Sequence, residues 1–144
     1  MPVLSVEDIR TYIQDRAPNN HLLDDVEFPD EMVLLAMDLA ISEYNTMTPI
    51  SGETLATFRN KSLLMTGTLY KLFEGQAALL FRNHMSYSDG NLTIPVEERG
   101  QLYQALAAMY QQDFISSAQK YKIQDNIENG WGEIRSDYAA FPVW

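Results

Sequence analysis

Between Asn60 and Arg82 the chain carries Leu63, Leu64, Leu69, Leu72, Phe73, Ala77, Leu79, Leu80 and Phe81. Placed on a helix, these residues leave almost no polar side. A helix that is apolar nearly all round has to be buried, at the centre of a bundle or by partner subunits. Asn60 is a suitable cap for its start. Gly67 and Gly75 each cost such a helix up to ~1 kcal/mol relative to alanine, and the reason for them is expected to be the close approach of another helix.

The rest of the chain supplies partners for this segment. Ser5 can cap a short helix with Glu7 and Asp8 in its first turn and Ile9, Tyr12 and Ile13 at helical spacing, ending near Asp15 before Ala17-Pro18. A turn-rich connection with apolar anchors at Leu22, Leu23 and Val26 follows. Phe28-Pro29-Asp30-Glu31 opens a second helix, in which Met32, Leu35, Ala36, Leu39, Ala40 and Tyr44 form one apolar stripe, with Asn45 as a stop. Residues 46–60 read as a loop, long enough to be functional or packed across a neighbour. After the central helix, Asp89-Gly90 between Met85/Tyr87 and Leu92/Ile94 predicts a β-hairpin over 85–94. A long helix is expected over Val96–Lys122, with Leu102, Leu106, Met109, Tyr110, Phe114 and Tyr121 as its stripe.

The 144 residues are 46% apolar, which fits one domain with a real core. The fold class expected is therefore mainly α: a small bundle of about four helices, one short hairpin near 85–94 and an extended C-terminal arm. The helical body spans 1–122 and the arm 123–144. Asn129-Gly130, Gly132 and Pro142 interrupt helix in the arm, yet it holds Ile127, Trp131, Ile134, Tyr138, Phe141, Val143 and Trp144. Large apolar groups left in water forfeit ~1.5–3 kcal/mol each, so the arm is expected to dock on its own domain or on another chain.

Charge and composition narrow the function. The net charge is −10 with no cysteine, which excludes disulfides, thiolate metal sites and a cysteine nucleophile. The acidity argues against a nucleic-acid reader. No run approaches the ~18 apolar residues of a membrane span, and the start of the chain does not read as a signal peptide. The expectation is a soluble protein made in the cytoplasm. The charge is uneven, with ten acids before residue 49 against Arg10 and Arg16 alone.

Catalytic constellations are not evident. His21 and His84 lack a metal-ligand spacing and read as a turn and a strand-edge histidine. Asp24-Asp25-Val26-Glu27 with Asp30-Glu31 lacks the calcium-loop pattern and reads as a solvated acidic face or a surface for a basic partner. Gly130-Trp131-Gly132 is not a nucleotide loop. Ser62, Ser116 and Ser117 read as helix-surface groups, and Glu97-Glu98 suits a helix start. No catalytic residue, metal ligand or cofactor is assigned.

Taken in order, several segments carry a resemblance. They are Asp8 to Asp15, Asn20 to Phe28, the acid-started helix ending in Glu43-Tyr44-Asn45 before Pro49, the apolar third helix, Tyr87-Ser88-Asp89-Gly90, the long last helix, and Asn126 to Gly132. The chain resembles the small head-to-tail adaptor, or connector, proteins of tailed bacteriophages over most of its length. Pro29 departs from the Ser or Thr cap frequent there. The resemblance implies a virion structural protein of the neck, not an enzyme, forming a ring of about twelve copies. It implies a portal protein on one side, a tail or head-closure protein on the other, transient passage of DNA, and no membrane. The docking residues expected are Ile127, Trp131, Ile134, Tyr138, Phe141 and Trp144 in the arm, with Tyr87, Asp89, Gly90 and Leu92 in the hairpin. The alternatives are a head-closure or tail-terminator component, an acidic cytosolic protein-interaction module, or a small hydrolase using the acidic cluster.

Overall fold

The computed structural model describes residues 2–20, 25–83, 88–89, 92–93 and 98–130. The described part is mainly helical: α1 (Val6–Ile13), a 3-10 turn (Ala17–Asn19), α2 (Asp30–Thr46), α3 (Lys61–Arg82) and α4 (Glu98–Asp125), which runs on into a π-helical turn (Asn126–Gly130). Helix therefore continues past Lys122, through the Asn129-Gly130 pair that was expected to interrupt it.

Local chemistry sets the helix starts. Ser5 and Asp8 form a reciprocal capping box on α1, and Gln14 ends that helix in a left-handed conformation at φ 55°. Asn60 caps α3 by accepting from the Leu63 amide. α2 begins behind Pro29 with no side-chain cap, and Asp30 and Glu31 sit in its first turn.

The apolar α3 is the central element, packed against both α2 and α4. Gly67 is where the three helices meet. A Cβ there would lie 2.6 Å from Phe114 Cε2 on α4 and 3.0 Å from Ala40 Cβ on α2. Gly75 faces only the flexible tip of Met32, 3.1 Å away. Leu4, Ile9 and Phe28 join the core from the N-terminal segment. Two edge-to-face ring pairs, Phe28 with Phe73 and Tyr44 with Phe58, pack within it.

Two stripes differ from the expectation by a rotation of the helix. On α2 the buried residues are Val33, Ala36, Met37, Ala40, Ile41 and Tyr44, while Leu35 and Leu39 are exposed. The helix has apolar residues on more than one face, and the face carrying the small Ala36 and Ala40 is the one that can approach Gly67. On α4 the inward residues are Tyr103, Ala107, Tyr110, Phe114, Ala118 and Lys122, while Leu102, Leu106 and Met109 are exposed. Phe114 is held against Gly67 and thereby fixes the rotation of the whole helix. The last turn of α3 is also open, with Leu79 and Phe81 exposed.

The hairpin expected over 85–94 is not seen as such. Ser88–Asp89 and Leu92–Thr93 pair antiparallel over two residues each. Tyr87, Gly90 and the rest of 84–97 lie outside the described residues, as do His21, Asp24, His84 and residues 131–144.

Candidate functional site

The acidic N-terminal third is the first place to look; the structure buries Asp15 and half-buries Asp8, Glu27 and Glu43, leaving the other described acids there exposed. Asp15 is buried at the end of α1. Its Oδ1 accepts from Asn20 Nδ2 (2.7 Å) and the Glu27 amide (2.6 Å); its Oδ2 accepts from Arg10 Nη1 (3.1 Å) and the Phe28 amide (2.9 Å). The buried Arg10 also pairs with Asp30. Glu27 Oε1 accepts from Tyr103 OH (2.6 Å), Gln76 Nε2 (3.1 Å) and Arg99 Nη2 (3.5 Å). One carboxylate thus ties the pre-α2 segment to α3 and α4.

The reading of Asp24 to Glu31 as a solvated face is corrected for Glu27, which is 13% exposed and a structural partner; Asp30 pairs with Arg10 while its own side chain stays 72% exposed. Glu7 pairs with Arg16, Asp8 with Lys61 and Glu43 with Lys71. Asp25, Glu31 and Asp38 remain exposed. Among the described residues, no group of three or more His, Asp or Glu is placed to hold a metal ion.

Titration behaviour follows from these contacts. Burial, with the nearby Glu27 carboxylate, pushes the Tyr103 phenol up to about 12. Burial also pushes Tyr44 up to about 12. Burial alone would lower Lys71, but hydrogen bonds to Glu43 and the Tyr70 hydroxyl outweigh it and raise it. Lys122 moves the other way, because burial dominates.

Lys122 is a residue the sequence reading missed as a structural centre. It is 3% exposed. Its Nζ donates to the carbonyls of Met47 and Pro49 (2.6 Å each) and to Ser51 Oγ (3.2 Å), and lies 4.5 Å from the Tyr44 ring centroid. Asn45 holds the same loop from the other side through Ser51 and both backbone groups of Glu53. The loop after α2 is thus packed across α4, as its length predicts.

Beside this loop lies a cleft of about 350 Å³ lined by Tyr44, Glu53, Thr57, Phe58, Arg59, Tyr121 and Asp125. Glu53 accepts from the Thr57 hydroxyl at 2.5 Å. The phenols of Tyr44 and Tyr121 are raised by burial and stay protonated at neutral pH. The cleft therefore offers hydrogen bonds and ring faces.

The remaining surface feature is apolar. Leu34, Leu35 and Leu39 are open on α2; Leu102, Leu106 and Met109 are open on α4, and Ile123 and Ile127 continue along it. Of the expected arm residues, Ile127 lies in the π-helical turn and is exposed; Trp131, Ile134, Tyr138, Phe141 and Trp144 lie outside the described residues. Of the expected hairpin residues, Asp89 and Leu92 are paired backbone partners in the two-residue ladder. Among the described residues no helix is long and apolar enough to cross a membrane. No family model, no curated protein and no solved structure matches the chain.

Proposed function

We propose that the chain is a structural, non-catalytic adaptor of a tailed-phage neck. It assembles as a ring of about twelve copies, binds a portal protein on one side and a tail or head-closure protein on the other, and lets DNA pass. The observation that carries this reading is the pair of apolar faces on different helices, Leu34/Leu35/Leu39 and Leu102/Leu106/Met109. A closed head-to-tail ring needs two unlike surfaces on each copy, one for each neighbour. Large exposed apolar patches mark interaction sites, and Leu35 and Leu39 on α2, like Leu102, Leu106 and Met109 on α4, are exposed neighbours one turn apart. The order of helices in the resemblance to phage connectors supports the same reading. The exposed Asp25, Glu31 and Asp38 suit a surface that DNA passes without being gripped.

The second reading is an acidic interaction module that stays monomeric and uses the same three exposed acids for a basic partner. Electron microscopy and sedimentation of the purified protein, alone and mixed with portal assemblies, separate the two. Rings, alone or on the portal, are expected. A chain that stays monomeric and ignores the portal overturns the adaptor reading.

A further inference from the structure

α4 and the turn that continues it carry an exposed seam with the spacing of a coiled coil. From Leu106, the residues Met109, Asp113, Ser116, Lys120, Ile123 and Ile127 follow at alternating steps of three and four. That spacing keeps them on one stripe of the helix, the pattern along which two helices pair. All seven are exposed, Met109 at 49%, Ile123 at 60% and Ile127 at 57%. Phe114, Ala118 and Lys122 are buried on the other side of the helix.

The seam reads alike from both ends. Leu106 and Met109 precede the acid Asp113, Ile123 and Ile127 follow the base Lys120, and the small Ser116 stands between. The distances match as well. At ~1.5 Å per residue, Asp113 and Lys120 lie about 4.5 and 6 Å from Ser116 along the axis. Met109 and Ile123 both lie at about 10.5 Å, and Leu106 and Ile127 at about 15 and 16.5 Å. A second copy laid antiparallel, with Ser116 on the two-fold axis, therefore brings Asp113 opposite Lys120 twice, Met109 opposite Ile123 and Leu106 opposite Ile127.

Other arrangements match worse. Parallel and in register, Asp113 faces Asp113 and Lys120 faces Lys120, and like charges held in contact are costly. A two-fold through Asp113 sets the two acids together and Leu106 against Lys120. A two-fold through Leu106 leaves Ile123 and Ile127 with no residue of α4 opposite them.

We infer that two copies of the chain pair through this seam, antiparallel about Ser116, with two Asp113–Lys120 ion pairs fixing the register. Polar residues in such a seam specify orientation at a cost in stability, so the dimer is reversible. The pairing does not rest on the adaptor reading. Under that reading it is the unassembled form, because it covers Leu106 and Met109, which a ring neighbour needs.

The test uses the full chain without portal. Sedimentation equilibrium is expected to show a concentration-dependent monomer–dimer equilibrium. Asp113→Lys or Lys120→Glu, each at an exposed position, sets like charges opposite one another and should weaken association by about tenfold or more with unchanged far-UV circular dichroism. The variant carrying both substitutions should regain it, as should an equimolar mixture of the two single variants. Leu35→Gln with Leu39→Gln, on α2, should leave it as it is. The chain has no cysteine, so Met109→Cys mixed with Ile123→Cys should cross-link under mild oxidation, while neither does so alone. Five results overturn the pairing: a wild-type chain monomeric at every concentration, folded charge variants that associate undiminished, no recovery in the double variant or the mixture, a loss on the α2 variant instead, or Met109→Cys cross-linking with itself, as a parallel contact requires. Rings on the portal from a chain that shows no dimer would overturn the pairing and keep the adaptor reading; a dimer that ignores the portal would do the reverse.

Discussion

Asp15→Asn tests the packing of the acidic segment most directly. The substitution keeps size and shape, but one carboxylate oxygen becomes an NH₂ group. Each oxygen of Asp15 now accepts two hydrogen bonds, one from a backbone amide (Glu27 or Phe28) and one from a side chain (Asn20 or Arg10). Whichever way the amide turns, two donors lose their acceptor and face a donor in a buried site. A buried donor left without a partner costs about 1–3 kcal/mol, so the loss should be about 2–5 kcal/mol. With a urea slope of about 2 kcal/mol per M, the midpoint should fall by roughly 1–2.5 M. Equilibrium urea unfolding followed by far-UV circular dichroism measures it. A loss below ~0.5 kcal/mol, the range of ordinary surface substitutions, would show that water replaces these bonds and would refute the account of Asp15 as the anchor between α1 and α2.

Three further outcomes follow from the packing. Gly67→Ala should destabilise by about 1–3 kcal/mol although alanine favours helix by up to ~1 kcal/mol, because the new methyl meets the buried Phe114 ring; a raised melting temperature would show that the ring yields. Lys122→Met should lower stability by about 1.5–3 kcal/mol, the scale of hydrogen bonds to a charged group, and hydrogen exchange should speed up in residues 47–53 before the helices; uniform exchange would contradict a local role. For pH, Tyr103 is raised in the folded state to about 12 from an ordinary 10. Its stabilisation is complete below pH 10 and is lost as pH rises toward 12, so alkaline melting should be shallower in Tyr103→Phe; equal slopes in the two proteins would remove Tyr103 from the alkaline transition.

The helices could be read from the sequence because their signals are local. Ser5 and Asn60 cap where expected, and Gly67 marks the crossing. The two half-exposed helices were harder. α2 and α4 carry apolar residues on more than one side, and a single-chain pattern does not say which side faces inward. Spacing places Leu35, Leu39, Leu102 and Met109 on the inward stripes; it places Ala40 correctly, while Val33 and Met37 on α2 and Ala107 and Ala118 on α4 take the inward positions instead. The acidic stretch was read from composition as solvated. Glu27 and Asp30 find partners 20 to 76 residues away in the chain, and no local pattern announces such pairs.

By itself, the sequence determined that this is a bundle around one apolar helix, with its capped starts, its glycine crossing and its aromatic tail. Those features depend on spacing and on neighbours within a turn or two, which the order of residues specifies directly. Only the tertiary structure decided the rotation of α2 and α4, the burial of Asp15 and Lys122, and the apolar faces left open. Rotation is a competition between faces of similar hydrophobicity, and the close fit of Phe114 and Ala40 onto Gly67 settles it. The surface available for partners is what that fit leaves uncovered.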